Sequence, residues 1–338
     1  MNRFDYVRAA SLEEALSALA GSPAAAILAG GTNLVDLMKY DVARPTRLVD
    51  IGRLPLDAIE TLGDGGLRPG ALTANADTAY DTRVQTHAPL LASAILAGAS
   101  AQLRNVATTG GNLLQRTRCA YFYDPCMPCN KRAPGSGCPA IGGINRMHAI
   151  LGASDACIAV HPSDMCVALA ALDAQVNVQG PTGSRVIALA DFHRLPGDQP
   201  QIDTTLAPHE IIVSVDLPAD RFGDHHSYLK LRDRLSYAFA LVSVAAALQL
   251  KDGVIVEARV ALGGVAHKPW RDLHAEALLV GSAPEPAAFA RAADAILAPA
   301  VGQGRNDFKI DLARRAIVRA LNQAAAGRPQ SQSDKKVR

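Results

Sequence analysis

Six cysteines lie between Cys119 and Cys166, and the rest of the 338-residue chain has none. A stabilising disulfide framework is seldom so concentrated in a chain of this size, so the pattern predicts one local device, most naturally a metal site. From Arg116 the chain reads Arg-Thr-Arg-Cys119, Tyr-Phe-Tyr-Asp-Pro-Cys126 and Met-Pro-Cys129-Asn-Lys-Arg, and later Pro-Gly-Ser-Gly-Cys138 and Ser-Asp-Ala-Cys157. Glycine, proline and aromatic residues surround the first three cysteines without helical or strand periodicity, which predicts a long ordered loop in need of a staple. Zinc, a disulfide or an iron–sulfur cluster could supply it. Cys126-x-x-Cys129 suggests zinc or a redox dithiol, but the second Cys-x-x-Cys of a zinc ribbon is missing. Four thiolates are what a [4Fe–4S] cluster needs, and spacing alone does not choose which four. Arg116, Arg118, Lys131 and Arg132 could offset thiolate charge. Cys157 and Cys166 sit in apolar stretches, where an inert buried thiol is the plain alternative.

Two glycine turns form a second candidate. In Ile27-Leu28-Ala29-Gly30-Gly31-Thr32-Asn33-Leu34 an apolar strand runs into paired glycines and a polar residue able to cap the next helix. Such a turn permits positive φ and close backbone approach to a ligand, and N–H groups at a helix start favour an anion such as pyrophosphate. It is not the Gly-x-Gly-x-x-Gly dinucleotide fingerprint, and an ordinary strand-to-helix turn would look the same. Thr108-Thr109-Gly110-Gly111-Asn112 repeats its character some way along the chain. An extended dinucleotide needs several separate backbone approaches, whereas a structural turn needs no counterpart.

Stepping outward, Ser11-Leu12-Glu13-Glu14 has the form of a capping box and predicts a helix over Leu12 to Leu19. Ala24 to Ala29 and Arg47 to Ile51 read as short buried strands flanking a helix that starts near Thr32. Further strands are predicted at Leu67 to Leu72, Gln175 to Val178, Val186 to Leu189 and Ile211 to Leu217, with a helix near Leu90 to Leu96. After a turn at Pro218-Ala219-Asp220 come strands at Tyr228 to Arg232 and Ala238 to Leu248. The hairpin signal Asp252-Gly253 then leads to a strand at Val254 to Leu262. Leu312, Ala313, Ala316, Ile317, Ala320 and Leu321 form one apolar stripe of a last helix. The expected class is α+β, divided into 1–55, 56–222 with the cysteine loop at about 115–160, and 223–326. A polar tail over 327–338 is expected to be disordered.

About half the residues are apolar and the formal charge is only +2, so a large core is available and the basic footprint of a nucleic-acid or membrane binder is missing. The longest apolar stretch, Ala238 to Leu250, is well short of the roughly 20 residues of a membrane span. Met1-Asn2-Arg3-Phe4-Asp5-Tyr6 has no export-signal character, so the chain is expected to stay in the cytoplasm or to reach the periplasm by co-export with a partner.

With the Ala29-Gly30-Gly31-Thr32-Asn33-Leu34 and Thr109-Gly110-Gly111-Asn112 turns and Asp164, the chain resembles the FAD-binding subunits of the xanthine dehydrogenase superfamily over nearly its full length. More narrowly, Leu113 to Cys119, Pro128-Cys129-Asn130-Lys131-Arg132, Gly135-Ser136-Gly137-Cys138, Cys157-Ile158-Ala159 and His161-Pro162-Ser163-Asp164 resemble the flavin subunits of periplasmic aldehyde oxidoreductases. The resemblance implies an FAD fold of two α/β subdomains plus a C-terminal α+β domain, and a [4Fe–4S] cluster on Cys119, Cys129, Cys138 and Cys157. Cys126 and Cys166 fall outside its motifs, though Cys126 is close enough to replace Cys119 or Cys129. It further implies that Ile27, Leu28, Ala29, Gly30, Gly31, Thr32, Asn33 and Leu34 surround the FAD pyrophosphate and ribityl parts together with Thr108, Thr109, Gly111 and Asn112. Asp164 would reach a polar group of the cofactor, or else cap the helix beginning near Met165. Leu206 would lie on the adenine side, and Lys230 and Tyr237, on the first strands of the last domain, near the isoalloxazine.

No nucleophile elbow, zincin or EF-hand motif is present, and no catalytic residue of the chain's own is expected. By resemblance, an aldehyde is oxidised at a molybdenum cofactor in a large partner subunit, electrons cross [2Fe–2S] clusters in a small one, and FAD passes them to an external acceptor within a heterotrimer. The alternatives are a flavin subunit of a xanthine dehydrogenase-like or hydroxybenzoyl-CoA reductase-like enzyme, a self-sufficient flavin enzyme, and a zinc-stabilised scaffold without activity.

Overall fold

The computed structural model describes residues 1–332; the end of the expected disordered tail, 333–338, lies outside the described residues. The fold is α+β and begins with a parallel three-stranded sheet in the order Asp5–Arg8, Arg47–Asp50, Ala25–Leu28. The helix Leu12–Ala20 joins the first and third of these strands in the sheet order, with Ser11 Oγ accepting from Glu14 N at 3.1 Å. Its Ala15 and Leu19 pack with Val49 and Ile51 in a small core.

A second sheet, in the order Gly183–Ala188, Gln175–Gly180, Ile211–Asp216, is antiparallel and carries the helices Pro89–Ala97 and Asp164–Ala171 in its core. The hairpin Ile59–Thr61 and Leu67–Pro69 leans on it through reciprocal Leu67–Leu217 backbone bonds. This second strand is shorter than expected. Backbone bonds continue past its end, from Gly70 N to the Ala58 carbonyl at 2.8 Å and from Ala71 N to the Val213 carbonyl at 2.9 Å, and at Gly70 a Cβ would sit 2.1 Å from the Leu56 carbonyl oxygen, so only glycine fits there.

The last sheet runs Trp270–Arg271, Val254–Gly263, Val242–Lys251, His226–Leu231, antiparallel throughout. Its strand Val242–Lys251 is apolar at nearly every position because both faces are covered. Ala245 and Ala247 point into the core of the second sheet, while Val242, Val244, Ala246 and Leu248 meet the helices Pro286–Leu297 and Phe308–Ala325. Asp252 and Gly253 take φ of 51° and 78°, a two-residue turn whose positive angles match strand twist. The strand starts later than the apolar run suggested. Tyr237, expected on a strand, lies in a loop with φ 48°, its carbonyl held by the Arg234 guanidinium, Nε at 3.0 Å.

The stripe of the last helix is buried as its spacing requires, with Leu312 at the margin. The first part of the tail is seated rather than loose: Gln330 N donates to Ser227 Oγ at 3.2 Å and Gln332 Nε2 to the Tyr228 carbonyl at 3.0 Å. Among the described residues no helix is long and apolar enough to cross a membrane.

Lys309 is fully buried on that helix and donates to the carbonyls of His148 at 2.7 Å and Gly264 at 2.6 Å. Burial, with the charge of Arg146, holds its ammonium down to about 7 against the ordinary 10.5. Between those values the unfolded chain binds more protons than the folded one, so this residue's contribution to stability rises with pH across that window. Urea unfolding at its two ends should therefore show wild type gaining on Lys309→Met as pH increases. A difference that does not change with pH would contradict the depressed ammonium.

Candidate functional site

Strand Ala25–Leu28 delivers its chain into the first glycine turn, and Ala25 and Ala26 already line the ligand space. Ile27 and Ala29 line a cavity of about 470 Å³ with Gly30, Gly31, Thr32, Asn33 and Leu34; Leu28 is not among its lining residues. A Cβ on Gly30 would stand 1.9 Å from the Val106 carbonyl oxygen, so the two glycine turns are in backbone contact and only glycine fits. Gly31 has φ 70°, which turns the chain toward the helix Leu34–Lys39.

Asn33 does not cap that helix. Its Oδ1 accepts from Arg116 N at 2.9 Å, and its Nδ2 is buried without a partner. An orphaned donor on a cavity wall is what an acceptor oxygen of a ligand would satisfy. In the second turn Thr108 caps the helix Thr109–Leu113 through Gly111 N at 3.2 Å and lines the same cavity with Gly110 and Gly111. Thr109, expected to face the cofactor, turns inward and donates to the Thr73 carbonyl at 3.2 Å.

A second cavity, about 690 Å³, shares Thr32, Asn33 and Gly111 with the first and continues past Asn112 to Asp164, Lys230, Tyr237 and Phe239. Two joined chambers, each of ligand size, suit a molecule with two bulky ends and a narrow polar middle. The middle is the stretch with the glycines and the orphaned amide, so the residues fit a dinucleotide. Leu206 lines neither chamber and packs against the central core. Pro208 to Ile212, a few residues further on, line the first chamber.

Asp164 is not the cap of its helix. Ser163 is, accepting from Cys166 N at 3.0 Å. The Asp164 carboxylate accepts from Tyr228 Oη and from Lys230 Nζ, both at 2.7 Å. Burial and that carboxylate push the Tyr228 phenol well above its ordinary value. The Lys230 side chain is buried too.

Cys119, Cys129, Cys138 and Cys157 line one small cavity in the irregular loop. All six cysteines are unpaired. Cys126 is exposed outside that cavity, and Cys166 is buried beside His161 and His193. The mutual interaction of Cys138 and Cys157 holds the Cys138 thiol down and pushes the Cys157 thiol up; burial pushes Cys119 up to about 11.

Of the cations expected to offset thiolate charge, Lys131 lowers Cys157 through its field. Its buried ammonium is bonded to Asp203 and to the Pro200 carbonyl at 2.6 Å. Arg116 pairs with Asp203 at 2.8 Å, Arg118 with Asp36 at 3.2 Å, and Arg132 with loop carbonyls. Sequence reading missed His148, whose Nε2 is 3.1 Å from Cys119 Sγ and which burial and Lys309 hold down to about 4. It also missed Arg116 as the bond between loop and glycine turn; no spacing rule marks either.

Residues 2–220 match the family model for the FAD binding domain in molybdopterin dehydrogenase, and 226–324 that for the CO dehydrogenase flavoprotein C-terminal domain. The chain is 52% identical to the aldehyde oxidoreductase FAD-binding subunit PaoB of Escherichia coli, over 96% of this chain and 99% of that one. It is 30% identical to the glyceraldehyde dehydrogenase medium chain of Sulfolobus acidocaldarius, over 82% of this chain and 81% of the relative. The fold is similar to that of a chain in the carbon monoxide dehydrogenase structure from Hydrogenophaga pseudoflava, with TM-score 0.76 and 28% identity, covering 96% and 98% of the two chains.

Gly30→Ala should weaken FAD retention about tenfold or more, a loss of at least ~1.4 kcal/mol, because the new methyl meets backbone that cannot move alone. Gly63→Ala, where a Cβ meets nothing within 4 Å, is the control. Equal flavin content in both purified variants would remove the Gly30 turn from the cofactor site.

Proposed function

The chain belongs to the molybdopterin dehydrogenase FAD-binding family, and from that premise we propose that it is the electron-transferring flavin subunit of an aldehyde-oxidising molybdenum enzyme and carries a [4Fe–4S] cluster of its own. The observation that carries the cluster is the gathering of Cys119, Cys129, Cys138 and Cys157 around one cavity, with Cys126 and Cys166 outside it. The sequence lacks the second Cys-x-x-Cys that a zinc ribbon would supply.

Aldehyde as the substrate class is supported by the 52% identity to an aldehyde oxidoreductase subunit, against 30% to a xanthine dehydrogenase FAD-binding subunit and 29% to a carbon monoxide dehydrogenase medium chain. Relatives described as medium chains or FAD-binding subunits support an assembly, which we take to be a heterotrimer with a small [2Fe–2S] and a large molybdenum subunit.

Flavin, when bound, supplies the conversion between single electrons and pairs. The residues of this chain bind and shield it. Gly30, Gly31 and Gly111 leave room for a pyrophosphate, with the free Nδ2 of Asn33 as a donor. Asp164, neutralised by Lys230 and hydrogen-bonded to Tyr228, forms a fixed polar wall in the larger chamber, and Tyr237 and Phe239 cover another side.

Anaerobically purified complex should contain iron on this subunit and lose it in Cys129→Ser, while Cys126→Ser keeps it. Iron analysis with the visible spectrum decides. Colourless protein holding zinc would overturn the redox reading, and turnover of aldehyde by the isolated chain would overturn the dependence on partners.

A further inference from the structure

We propose that His148 is a positioning residue of the thiol site: its Nε2–H donates to the Cys119 sulfur and raises the reduction potential of the cluster held there. The inference rests on the iron–sulfur reading above and adds to it how the cluster is tuned and which edge of it faces the flavin.

The geometry is local and specific. His148 Nε2 lies 3.1 Å from Cys119 Sγ, and the ring is buried. A thiolate ligand has lone pairs and no proton, so the hydrogen of this contact sits on the imidazole; the other ring nitrogen, Nδ1, has no partner. The ring is held from behind. His148 N donates to the Asn145 carbonyl at 2.9 Å, and the His148 carbonyl accepts from Lys309 Nζ at 2.7 Å and Asn306 Nδ2 at 3.2 Å. Lys309 and Asn306 belong to the last helix and the turn before it, and Asn145 to the cysteine loop, so the imidazole is aimed by the fold of the C-terminal domain and not by the cysteine loop alone.

Adding one electron makes the cluster more negative, which strengthens an N–H donor bond to its sulfur and favours the reduced state. No bond breaks and no proton moves. The electron comes from, and returns to, the carriers of the oxidoreductase itself.

Position gives the donor a second consequence. Cys119 and His148 also line a cavity of about 270 Å³, which none of the other three thiols reaches. Its lining also includes Arg118, Met147, Asp164 and Phe239, all of which line the larger flavin chamber as well. The Cys119–His148 edge is therefore the side of the thiol site turned toward the flavin, and the hydrogen bond acts on that edge.

Two measurements on the whole complex test this. Redox titration followed by electron paramagnetic resonance should give His148→Leu a lower midpoint, with about a tenfold fall in the reduced-to-oxidised ratio at the wild-type midpoint, 59 mV for one electron. His148→Gln, which keeps an N–H donor, should recover most of it. Should the leucine variant lose its cluster, pulsed resonance on wild-type complex labelled with [15N]histidine supplies the answer, since the donor bond predicts a histidine nitrogen coupled to the reduced cluster. Full iron with an unchanged midpoint in His148→Leu, or no histidine coupling in the wild type, overturns the role of His148 and leaves the cluster standing. Wild-type subunit without iron overturns both.

Discussion

A single buried carboxylate holds the parts of this molecule in register. Asp164 begins the helix Asp164–Ala171 and accepts from Tyr228 and Lys230 on the first strand of the C-terminal sheet. Lys230 and Arg232 also donate to the Ala97 carbonyl, at 3.2 and 2.8 Å, where the helix Pro89–Ala97 ends and its dipole is negative. Space for the carboxylate exists because position 98 is glycine; a Cβ there would lie 3.1 Å from Asp164 Oδ2. Burying this ion pair costs desolvation energy that its hydrogen bonds roughly offset, so its contribution is more to geometry than to net stability. Two helices and a sheet from different parts of the chain must meet at one point, and the larger chamber is the gap they leave beside it.

The cysteine loop obeys a related constraint. It has one short helix, Ala120–Tyr123, between Leu113 and Asp164, so most of its backbone groups need partners from elsewhere. Many of them are met by tight turns within the loop, such as Arg132 N to the Cys129 carbonyl and Ile141 N to the Cys138 carbonyl, and the rest by side chains. Asn145 Nδ2 spans the Ala140 and Gln303 carbonyls, Asn306 Nδ2 reaches the Ala149 carbonyl at 3.0 Å, and Lys131 ties the loop to Pro200 and Asp203. Lys131 and Lys309 are buried amines, the first bonded to a carboxylate and a carbonyl and the second to two carbonyls, and both hold irregular backbone that no ladder could hold.

What the sequence made legible is what depends on near neighbours in the chain. The stripe of Phe308–Ala325, the Asp252-Gly253 hairpin and the capped helix at Leu12 follow from spacing and turn chemistry. The start of Val242–Lys251 does not, because Tyr237 and Phe239 are apolar enough to read as strand but are drawn into a loop by Arg234. In the site, the paired glycines announced a turn, but the reason for Gly30 is the Val106 carbonyl, a tertiary contact with no local signature. The Thr109 hydroxyl is turned to the Thr73 carbonyl and Leu206 packs against the central core, since facing is set by the packing of each segment against its neighbours. The cysteines announced one device by their crowding. The structure gathers the same four that the resemblance named, whereas spacing alone could not have set Cys126 aside.

The loop's two ends make the thiol site and the flavin chamber mechanically dependent on each other. At its start, Arg116 N is bonded to Asn33 Oδ1, which fixes the amide whose free Nδ2 lines the cavity. At its end, Ser163 Oγ donates to Asn112 Oδ1 at 2.7 Å, and the next residue is Asp164. A segment this long and irregular would ordinarily wander, and closing it carries an entropic cost that grows with its length. Joining Cys119, Cys129, Cys138 and Cys157 would divide one long closure into several short ones, each less costly, and would limit the freedom of both anchored ends. Asn33, Asn112 and Asp164 would then owe part of their placement to ligation at a site they do not touch. A structural role and an electronic role for the thiol site are thus not rivals, because the same loop that would hold the metal also sets the walls of the chamber its electrons would cross.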